Sequence, residues 1–242
     1  MKGFRLLHPQ EVELTGEGVV ENRRFVLVDG DGRRLRSSLT PWPVLVRGSY
    51  DPATDTLRME FPGGAVVEAP AAADGEPFDI EFSGGKKVQV RDVPGEWNER
   101  LSALAGHRVR LARPDGVGEA LGEPVTLLSD GSLARLEQEA GRAVDARRFR
   151  MLFTLEGCGE HEEDTWDGRL LRVGEAMVRV GGPVDRCAVT TRDPDTGERD
   201  LDTLRLIKNY RGVRDGQHVD FGVYATVEQP GTVRIGDSVE LT

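Results

Sequence analysis

Short stretches of alternating apolar and polar residues, separated by glycine and proline, fill the first third of the chain. Residues 24–29 (RFVLVD) are an apolar run between two charged residues and lead into a Gly-Asp-Gly turn at 30–32. Residues 33–36 are then predicted to return as the second strand of a hairpin. Similar turn signals follow at 51–55 (DPATD), 62–64 (PGG) and 84–85 (GG). Residues 11–91 are therefore predicted to form a meander of strands with little helix.

The spacing of the apolar residues changes in the middle of the chain, which predicts the first of three short helices. Trp97, Leu101 and Leu104 recur at helical spacing, Pro94 stands near the first turn, and Gly106 marks the end. This segment is therefore predicted to be one short amphipathic helix.

Two further helices are predicted in the second half of the chain. One begins at Ser129, a residue type favoured at the N-cap, and ends at Gly141. The other begins near Asp200 and continues through Ile207. Strand-like runs lie at 150–155, 170–180, 219–227 and 232–241. The sequence thus predicts a mainly β (α+β) protein with few short helices.

A stretch containing proline and glycine at 113–124 (RPDGVGEALGEP) is the best candidate for a domain boundary. The length of the chain agrees with such a division, because 242 residues lie between one and two domains of about 150 residues each. We therefore predict a β-rich N-terminal domain at 1–115 and a second domain at 116–242.

The balance of charge excludes broad classes of partner. Lys and Arg number 32 against 42 Asp and Glu, which gives a net charge of −10 and a pI near 5.0. Nucleic acids and anionic membranes both attract proteins with a basic field, so neither is expected as a partner. No apolar run approaches the roughly 20 residues of a membrane span, and residues 1–10 lack a secretory signal. We expect a cytoplasmic protein.

Generic nucleotide and hydrolase motifs are absent, since the chain has no GxxxxGK[ST], no GxSxG and no strand followed by GxGxxG. Cys158 and Cys187 are the two cysteines, too few for a disulfide framework or for the four thiolates of a ferredoxin-type cluster. We therefore predict that the chain itself binds no NAD, flavin or iron–sulfur cluster.

Residues 160–164 (EHEED) form a short acidic run. Its carboxylates could hold a hard cation, but the run lacks the alternating spacing of a calcium loop. A run of charges is more often a solvated loop, and we expect one here. Each histidine stands alone in sequence and is expected at the surface or satisfied by hydrogen bonds: His8, His107, His161 and His218.

Cys187 stands in a more informative segment, residues 183–197 (PVDRCAVTTRDPDTG). Arg186 directly precedes it, and a neighbouring guanidinium favours the thiolate, the form that binds soft metals or attacks electrophiles. Taken alone, the pair also fits an inert structural cysteine. Motifs elsewhere in the chain favour a functional role for Cys187 over a structural one.

Several short motifs occur in one order along the chain: FR at 149–150, GC at 157–158, EDTW at 163–166, RCAVTT at 186–191, DPDTG at 193–197 and FGVY at 221–224. Together they resemble the MOSC family, the molybdenum cofactor sulfurase C-terminal domain, and in particular its amidoxime-reducing branch. The N-terminal half matches more loosely, through EVEL at 11–14 and RRFVLVD at 23–29. The resemblance implies a β-barrel-type MOSC domain after the β-rich N-terminal domain.

The resemblance also implies a cofactor, a molybdenum held by molybdopterin. Cys187 would be its single thiolate ligand from the protein and the catalytic residue. A soft thiolate suits a metal that cycles between oxidation states two electrons apart. The cofactor, and its phosphate in particular, would be held by cationic side chains and by the start of the second helix: Lys2, Arg36, Arg150, Arg186, Ser129, Asp130 and Ser132. An ordinary N-cap is the alternative interpretation of that helix start.

The implied activity is reduction of N-hydroxylated or N-oxide compounds, small molecules from which an oxygen atom is removed. Electrons would come from a separate reductase partner. Two other functions stay open, a sulfur carrier with a persulfide on Cys187 and a non-catalytic binder of the cofactor or another phosphorylated ligand. The non-catalytic binder is supported by three positions, Gly3, Ser38 and Leu152, where relatives carry polar or cationic residues and this chain has lost them. Cys158 is either a small buried side chain or an accessory thiol.

Overall fold

A computed structural model describes residues 3–19, 21–22, 24–36, 38–82, 85–114 and 125–242. Within these residues strands dominate and only three α-helices occur, so the mainly β prediction is confirmed. Two compact units divide the chain. The N-terminal unit comprises Met1–Leu7, Val20–Leu121 and Asp195–Gly197. The C-terminal unit comprises His8–Val19, Gly122–Pro194 and Glu198–Thr242. The predicted boundary between 115 and 116 lies outside the described residues and stays a prediction.

The N-terminal unit contains two antiparallel sheets. Its strands are β3 (Val26–Asp29), β4 (Arg47–Asp51), β5 (Thr56–Glu60), β6 (Val66–Pro70), β7 (Asp74–Glu81), β8 (Lys87–Asp92) and β9 (Val109–Pro114). One sheet has the order β3-β9-β8-β7 and the other β4-β5-β6. Strands with little helix therefore dominate this region, as predicted, with a 3₁₀ turn at Trp42–Leu45. The strands do not form one meander over 11–91, because β3 pairs with β9 and Glu11–Thr15 pairs with Gly231–Arg234 of the C-terminal unit.

Helix α1 (Trp97–Ala105) lies in the core of this unit, as its apolar spacing predicts. Trp97 and Leu101 are fully buried, and the Trp97 indole donates a 3.0 Å hydrogen bond to the Val93 carbonyl. The helix ends at Gly106, whose positive φ of 73° is a conformation that glycine adopts readily. The predicted helix is confirmed at both ends.

The predicted hairpin at 24–36 is only partly right. β3 forms, and the Asp29 carboxylate accepts the backbone N–H groups of Asp31 and Arg33 in the turn. Residues 33–36, however, make a single bridge between Val28 and Arg34 instead of a strand. Two backbone hydrogen bonds, Asp29 N–H to the Arg33 carbonyl and Leu35 N–H to the Leu27 carbonyl, complete the short return. The chain then turns away, because the Arg36 carbonyl accepts the N–H groups of residues 39 and 40.

The C-terminal unit holds a six-stranded sheet of order β11-β10-β14-β13-β12-β16, curled into a half-barrel. Its strands are β10 (Val125–Ser129), β11 (Phe153–Leu155), β12 (Leu170–Val173), β13 (Ala176–Asp185), β14 (Asp220–Gln229) and β16 (Val239–Leu241). A three-stranded sheet of order β15-β1-β2 accompanies it, from β1 (Glu11–Thr15), β2 (Gly18–Val19) and β15 (Gly231–Arg234). Pairing is antiparallel except between β10 and β11.

Two predicted strand runs in this unit are each split into two strands. The run at 170–180 is the hairpin of β12 and β13, which turns at Gly174 with a φ of 56°. Glycine adopts this left-handed conformation readily, and a side chain at Gly174 would also displace the Asp237 carboxylate. The run at 232–241 is β15 and β16, separated by a turn in which the Asp237 N–H donates to the Arg234 carbonyl.

Helices α2 (Asp130–Ala140) and α3 (Thr203–Arg211) belong to the C-terminal unit. Ser129 caps α2 by accepting the Ser132 N–H, and Gly141 ends it, as predicted. Helix α3 begins three residues later than expected, because the Asp202 carboxylate is its N-cap and accepts the Arg205 N–H. Among the described residues, no helix is both long and apolar enough to span a membrane.

Candidate functional site

Cys187 lies just past one end of the six-stranded sheet, where β13 stops and β14 starts. Asp185, the last residue of β13, is in register with Asp220, the first residue of β14. The Cys187 side chain is exposed, and its carbonyl accepts both the N–H and the hydroxyl of Thr190 at 3.1 Å. These bonds lie at the start of the 3₁₀ turn Ala188–Thr191, for which Cys187 is the N-cap. The structure therefore presents a solvent-accessible thiol on a firmly held backbone.

Arg186 turns into the protein instead of extending toward solvent. Its Nη2 donates to the Phe149 carbonyl, its Nη1 lies 3.2 Å from the Met151 sulfur, and its guanidinium lies over the Phe149 ring at 5.4 Å. The arginine thus joins the segment that carries Cys187 to the segment that carries Arg150. We interpret Arg186 as a residue that positions this site. The direct cofactor contact expected for it stays a prediction.

Arg150 follows the 3₁₀ turn Ala146–Phe149 and has a left-handed backbone with φ of 53°. Its neighbour Arg148 is buried and makes two hydrogen bonds to the Asp200 carboxylate, at 2.7 and 2.6 Å. Those bonds hold the pKa of Asp200 below its usual range. The two arginines therefore differ in role, since Arg148 serves the fold and Arg150 is half-buried beside the Arg186 contact.

The start of helix α2 binds a carboxylate of the protein itself. Ser129 and Ser132 are fully buried, and their hydroxyls donate to the two oxygens of Glu163 at 2.5 and 2.6 Å. The Asp130 carboxylate accepts the N–H groups of Gly157 and Cys158 at 2.8 and 3.0 Å. These contacts favour the N-cap interpretation and leave the predicted phosphate role of Ser129, Asp130 and Ser132 without support.

Close packing at Gly131 covers the same helix start. A side chain at Gly131 would meet the Gly159 carbonyl oxygen at 2.3 Å and the Cys158 carbonyl oxygen at 2.5 Å. Burial opposes ionisation of Asp130, but its backbone donors outweigh burial and lower its pKa. An internal anion, Glu163, thus takes the position at this helix start that was predicted for a phosphate.

The acidic run at 160–164 is a solvated loop only in part, because Glu160 and Glu162 are exposed whereas the residues between and after them are not. Glu163 is fully buried, and Asp164 makes an ion pair with Arg211 at 2.5 Å. His161 Nδ1 lies 2.9 Å from both Ser132 Oγ and Arg211 Nη1, and burial followed by the Arg211 charge lowers its pKa. Within the described ranges, no three His, Cys, Asp or Glu side chains are grouped so that they could hold a metal ion. The run is therefore a structural network, which the pattern of charges alone could not reveal.

Cys158 packs against the apolar core of the six-stranded sheet and is half-buried. Burial, and then the nearby charges of Glu162, Asp130 and Glu163, raise the pKa of its thiol to about 11. Such a thiol is protonated at neutral pH, which favours the interpretation of Cys158 as a small packing residue.

The structure describes most of the remaining predicted residues, each within its own unit. Arg36 is exposed in the N-terminal unit, and Lys2 lies outside the described residues. Gly3 has a positive φ of 90°, which glycine adopts readily, and Ser38 is partly buried. Leu152 packs against the apolar core of the sheet, and its N–H donates to Thr126.

One pair near Cys187 was missed by the sequence interpretation. Asp185 Oδ2 lies 2.9 Å from Nδ1 of His218, and Asp185 Oδ1 accepts the Val219 N–H at 3.0 Å. The two residues are 33 positions apart in sequence. Only the pairing of β13 with β14 brings them together, so no local motif could have indicated the contact.

Comparison with known proteins places this geometry in context. A model of the MOSC domain matches residues 96–240. Mitochondrial amidoxime-reducing component 1 of Mus musculus is 36% identical over 272 residues, covering 100% of this chain and 79% of the relative. Mitochondrial amidoxime reducing component 2 of Bos taurus is 37% identical over 257 residues, covering 92% of this chain and 73% of the relative.

Solved structures give a partial likeness. YiiM from Escherichia coli matches with a TM-score of 0.38 and 20% identity, over 53% of this chain and 58% of that one. YiiM from Geobacillus stearothermophilus matches with a TM-score of 0.36 and 21% identity, over 50% of this chain and 54% of that one.

Proposed function

The chain belongs to the MOSC domain family, and we propose that it is a molybdenum-cofactor-dependent oxidoreductase. The proposed substrates are N-hydroxylated or N-oxide compounds, from which an oxygen atom is removed. Its relatives in mouse and cattle are named for the reduction of amidoximes, which are N-hydroxylated compounds. That family membership supports the reaction class, and the site around Cys187 supports the way in which the chain would hold the metal.

The observation that carries the proposal is the exposed thiol of Cys187 at the end of β13. A thiolate is a soft ligand of the kind that molybdenum accepts, and this one is open to an incoming group while its backbone is held by Thr190. The donor chemistry therefore fits the cofactor. When bound, the cofactor would supply the two-electron change that oxygen removal requires.

The residues around Cys187 would orient the thiol and anchor the rest of the cofactor. Arg186 fixes the segment before Cys187 to Phe149, and so also fixes the residue that follows Phe149, Arg150. In our proposal Arg150 binds the cofactor phosphate through charge-assisted hydrogen bonds. Lys2 and Arg36 are proposed as further phosphate ligands on the family pattern alone.

The electrons would come from a separate reductase. The sequence has no dinucleotide fingerprint, and its two cysteines are too few for the four thiolates of a ferredoxin-type iron–sulfur cluster. The overall reaction for an amidoxime takes two electrons and two protons, and releases the amidine and water. The chain's own residues would bind the small molecule next to the metal, and the partner would restore the reduced state between turnovers.

A second candidate function is favoured by the same observation. An exposed, held thiol is also suited to carry a persulfide to a biosynthetic acceptor, with no metal bound. The two functions differ in what the purified protein holds at Cys187. Molybdenum supports the reductase, whereas sulfur that cyanide releases from Cys187 supports the carrier.

Turnover with a chemical reductant tests the reductase directly. Protein made in a cofactor-producing host should convert an amidoxime or N-hydroxylated base to its reduced product, followed by chromatography, while nicotinamide cofactors alone should support none. The Cys187→Ser variant is the control for reduction by the chemical donor itself. Metal-loaded wild type no faster than this control would reject the reductase and leave the sulfur carrier and the non-catalytic binder.

A further inference from the structure

The pair formed by Asp185 and His218 is the feature near Cys187 that the proposed function leaves unused. The Asp185 carboxylate can only accept hydrogen bonds when ionised, so His218 Nδ1 is the donor in their 2.9 Å contact. The other oxygen of Asp185 accepts the Val219 N–H at 3.0 Å. One carboxylate therefore holds both the side chain of His218 and the backbone of the residue after it.

Antiparallel pairing continues past the end of β13 by one residue. Asp185 is in register with Asp220, and the Arg186 N–H donates to the Val219 carbonyl at 2.8 Å. Extending this register by one more residue places Cys187 opposite His218. Because side chains alternate along a strand, Asp185 and Cys187 share one face, which is the face where Asp185 meets His218.

The polar side chains next to His218 have hydrogen-bond partners of their own. Arg214 makes two hydrogen bonds to the Asp220 carboxylate, at 2.7 and 3.1 Å. The Gln217 amide nitrogen lies 3.2 Å from Nε2 of His218, on the side of the ring away from Asp185. The imidazole of His218 is thus held at both nitrogens, and its plane and direction are fixed beside the Cys187 segment.

We propose that Asp185 and His218 are positioning residues for Cys187. Asp185 binds the His218 imidazole and the Val219 N–H, and the Arg186 N–H binds the Val219 carbonyl. These contacts hold the two residues before Cys187 in place and so fix the direction of the thiol. Arg186 does the same from the opposite side through Phe149. The part of this inference that concerns molybdenum rests on the proposed function, whereas the part that concerns the backbone does not.

Three variants test the inference. His218→Ala removes the contact, and His218→Asn keeps a nitrogen donor where Nδ1 lies. Glu228→Ala is the matched control, because Glu228 pairs with Arg179 between the same two strands at the far end of the sheet, at 2.6 Å. The first measurement is amide hydrogen exchange of Arg186 by NMR in metal-free protein.

We expect exchange at Arg186 to rise about fivefold in His218→Ala, which corresponds to about 1 kcal/mol for one hydrogen bond. His218→Asn and Glu228→Ala should exchange like the wild type. The second measurement is the electron paramagnetic resonance spectrum of the molybdenum-loaded protein after partial reduction, which populates the paramagnetic Mo(V) state. Its signal should change in His218→Ala and return to the wild-type form in His218→Asn, which a general loss of stability would not produce.

Exchange in His218→Ala equal to the wild type, or an Asn variant that exchanges as fast as the Ala variant, would overturn the inference. An unchanged spectrum in His218→Ala would also overturn it. A wild type without molybdenum would instead contradict the proposed function, and the exchange measurement in metal-free protein would still decide whether Asp185 and His218 position Cys187.

Discussion

Replacing Arg148 and Arg150 one at a time should separate stability from cofactor binding. Arg148 is 6% exposed and makes two hydrogen bonds to Asp200, at 2.7 and 2.6 Å, whereas Arg150 is only half-buried. The two residues lie two positions apart and carry the same side chain. They therefore form a matched pair in which only the surroundings differ.

The structure sets the size of each effect. Breaking a fully buried ion pair costs about 3–5 kcal/mol, and the Asp200 side chain keeps 36% exposure, so Arg148→Ala should cost about 2–3 kcal/mol. Arg150→Ala should cost less stability than Arg148→Ala, because Arg150 is only half-buried. It should lose one charge-assisted contact to phosphate, about 1.5–3 kcal/mol, which is roughly a tenfold to hundredfold loss of cofactor affinity.

Urea unfolding followed by tryptophan fluorescence measures the first effect, and molybdenum per chain after gel filtration measures the second. Arg148→Ala should unfold at lower urea and, while folded, keep its metal. Arg150→Ala should unfold at a higher urea concentration than Arg148→Ala and should lose metal. Equal metal retention in the two folded variants, or unchanged stability in Arg148→Ala, would refute the division of roles.

Three further outcomes follow from the buried groups of the C-terminal unit. Glu163→Ala should lower the free energy of unfolding by about 3–5 kcal/mol, because two buried serine hydroxyls lose their acceptor, and Glu163→Gln should cost less; urea titration checks both. The stability difference between wild type and Asp200→Asn should be fully present above about pH 4. It should shrink as pH falls through the lowered folded pKa of Asp200, which acid titration of unfolding measures. Iodoacetamide at pH 8 should label Cys187 well before Cys158, whose pKa is about 11, as read by peptide mass spectrometry; faster labelling of Cys158 would contradict its burial.

Local sequence signals predicted the secondary structure well where one residue decides the conformation. Gly106 and Gly141 end their helices in the left-handed conformation, and Ser129 caps α2, because these effects act over a few residues. The start of α3 was displaced because Asp200 and Asp202 are both acceptable caps. Tertiary contacts decided between them, since Asp200 is used by Arg148.

The candidate site was predicted less completely, since its contacts join distant parts of the chain. The motif at 186–191 identified Cys187, and the structure places that thiol at the surface. The sequence left two interpretations of the helix start at Ser129, because its buried partner Glu163 lies 34 residues away in a run of charges that is typical of a solvated loop. The contact between Asp185 and His218 depends in the same way on strand pairing, which no short motif encodes.

The molybdenum content of the purified protein tests the central claim most directly. Wild type and Cys187→Ser should be expressed in a host that makes the cofactor, purified alike, and analysed for metal and releasable pterin. The account predicts about one molybdenum per wild-type chain and none in a folded Cys187→Ser variant, because a hydroxyl is a harder and far less acidic donor than a thiol. A wild type without molybdenum, or a Cys187→Ser variant that keeps it, would contradict the claim that Cys187 binds the metal.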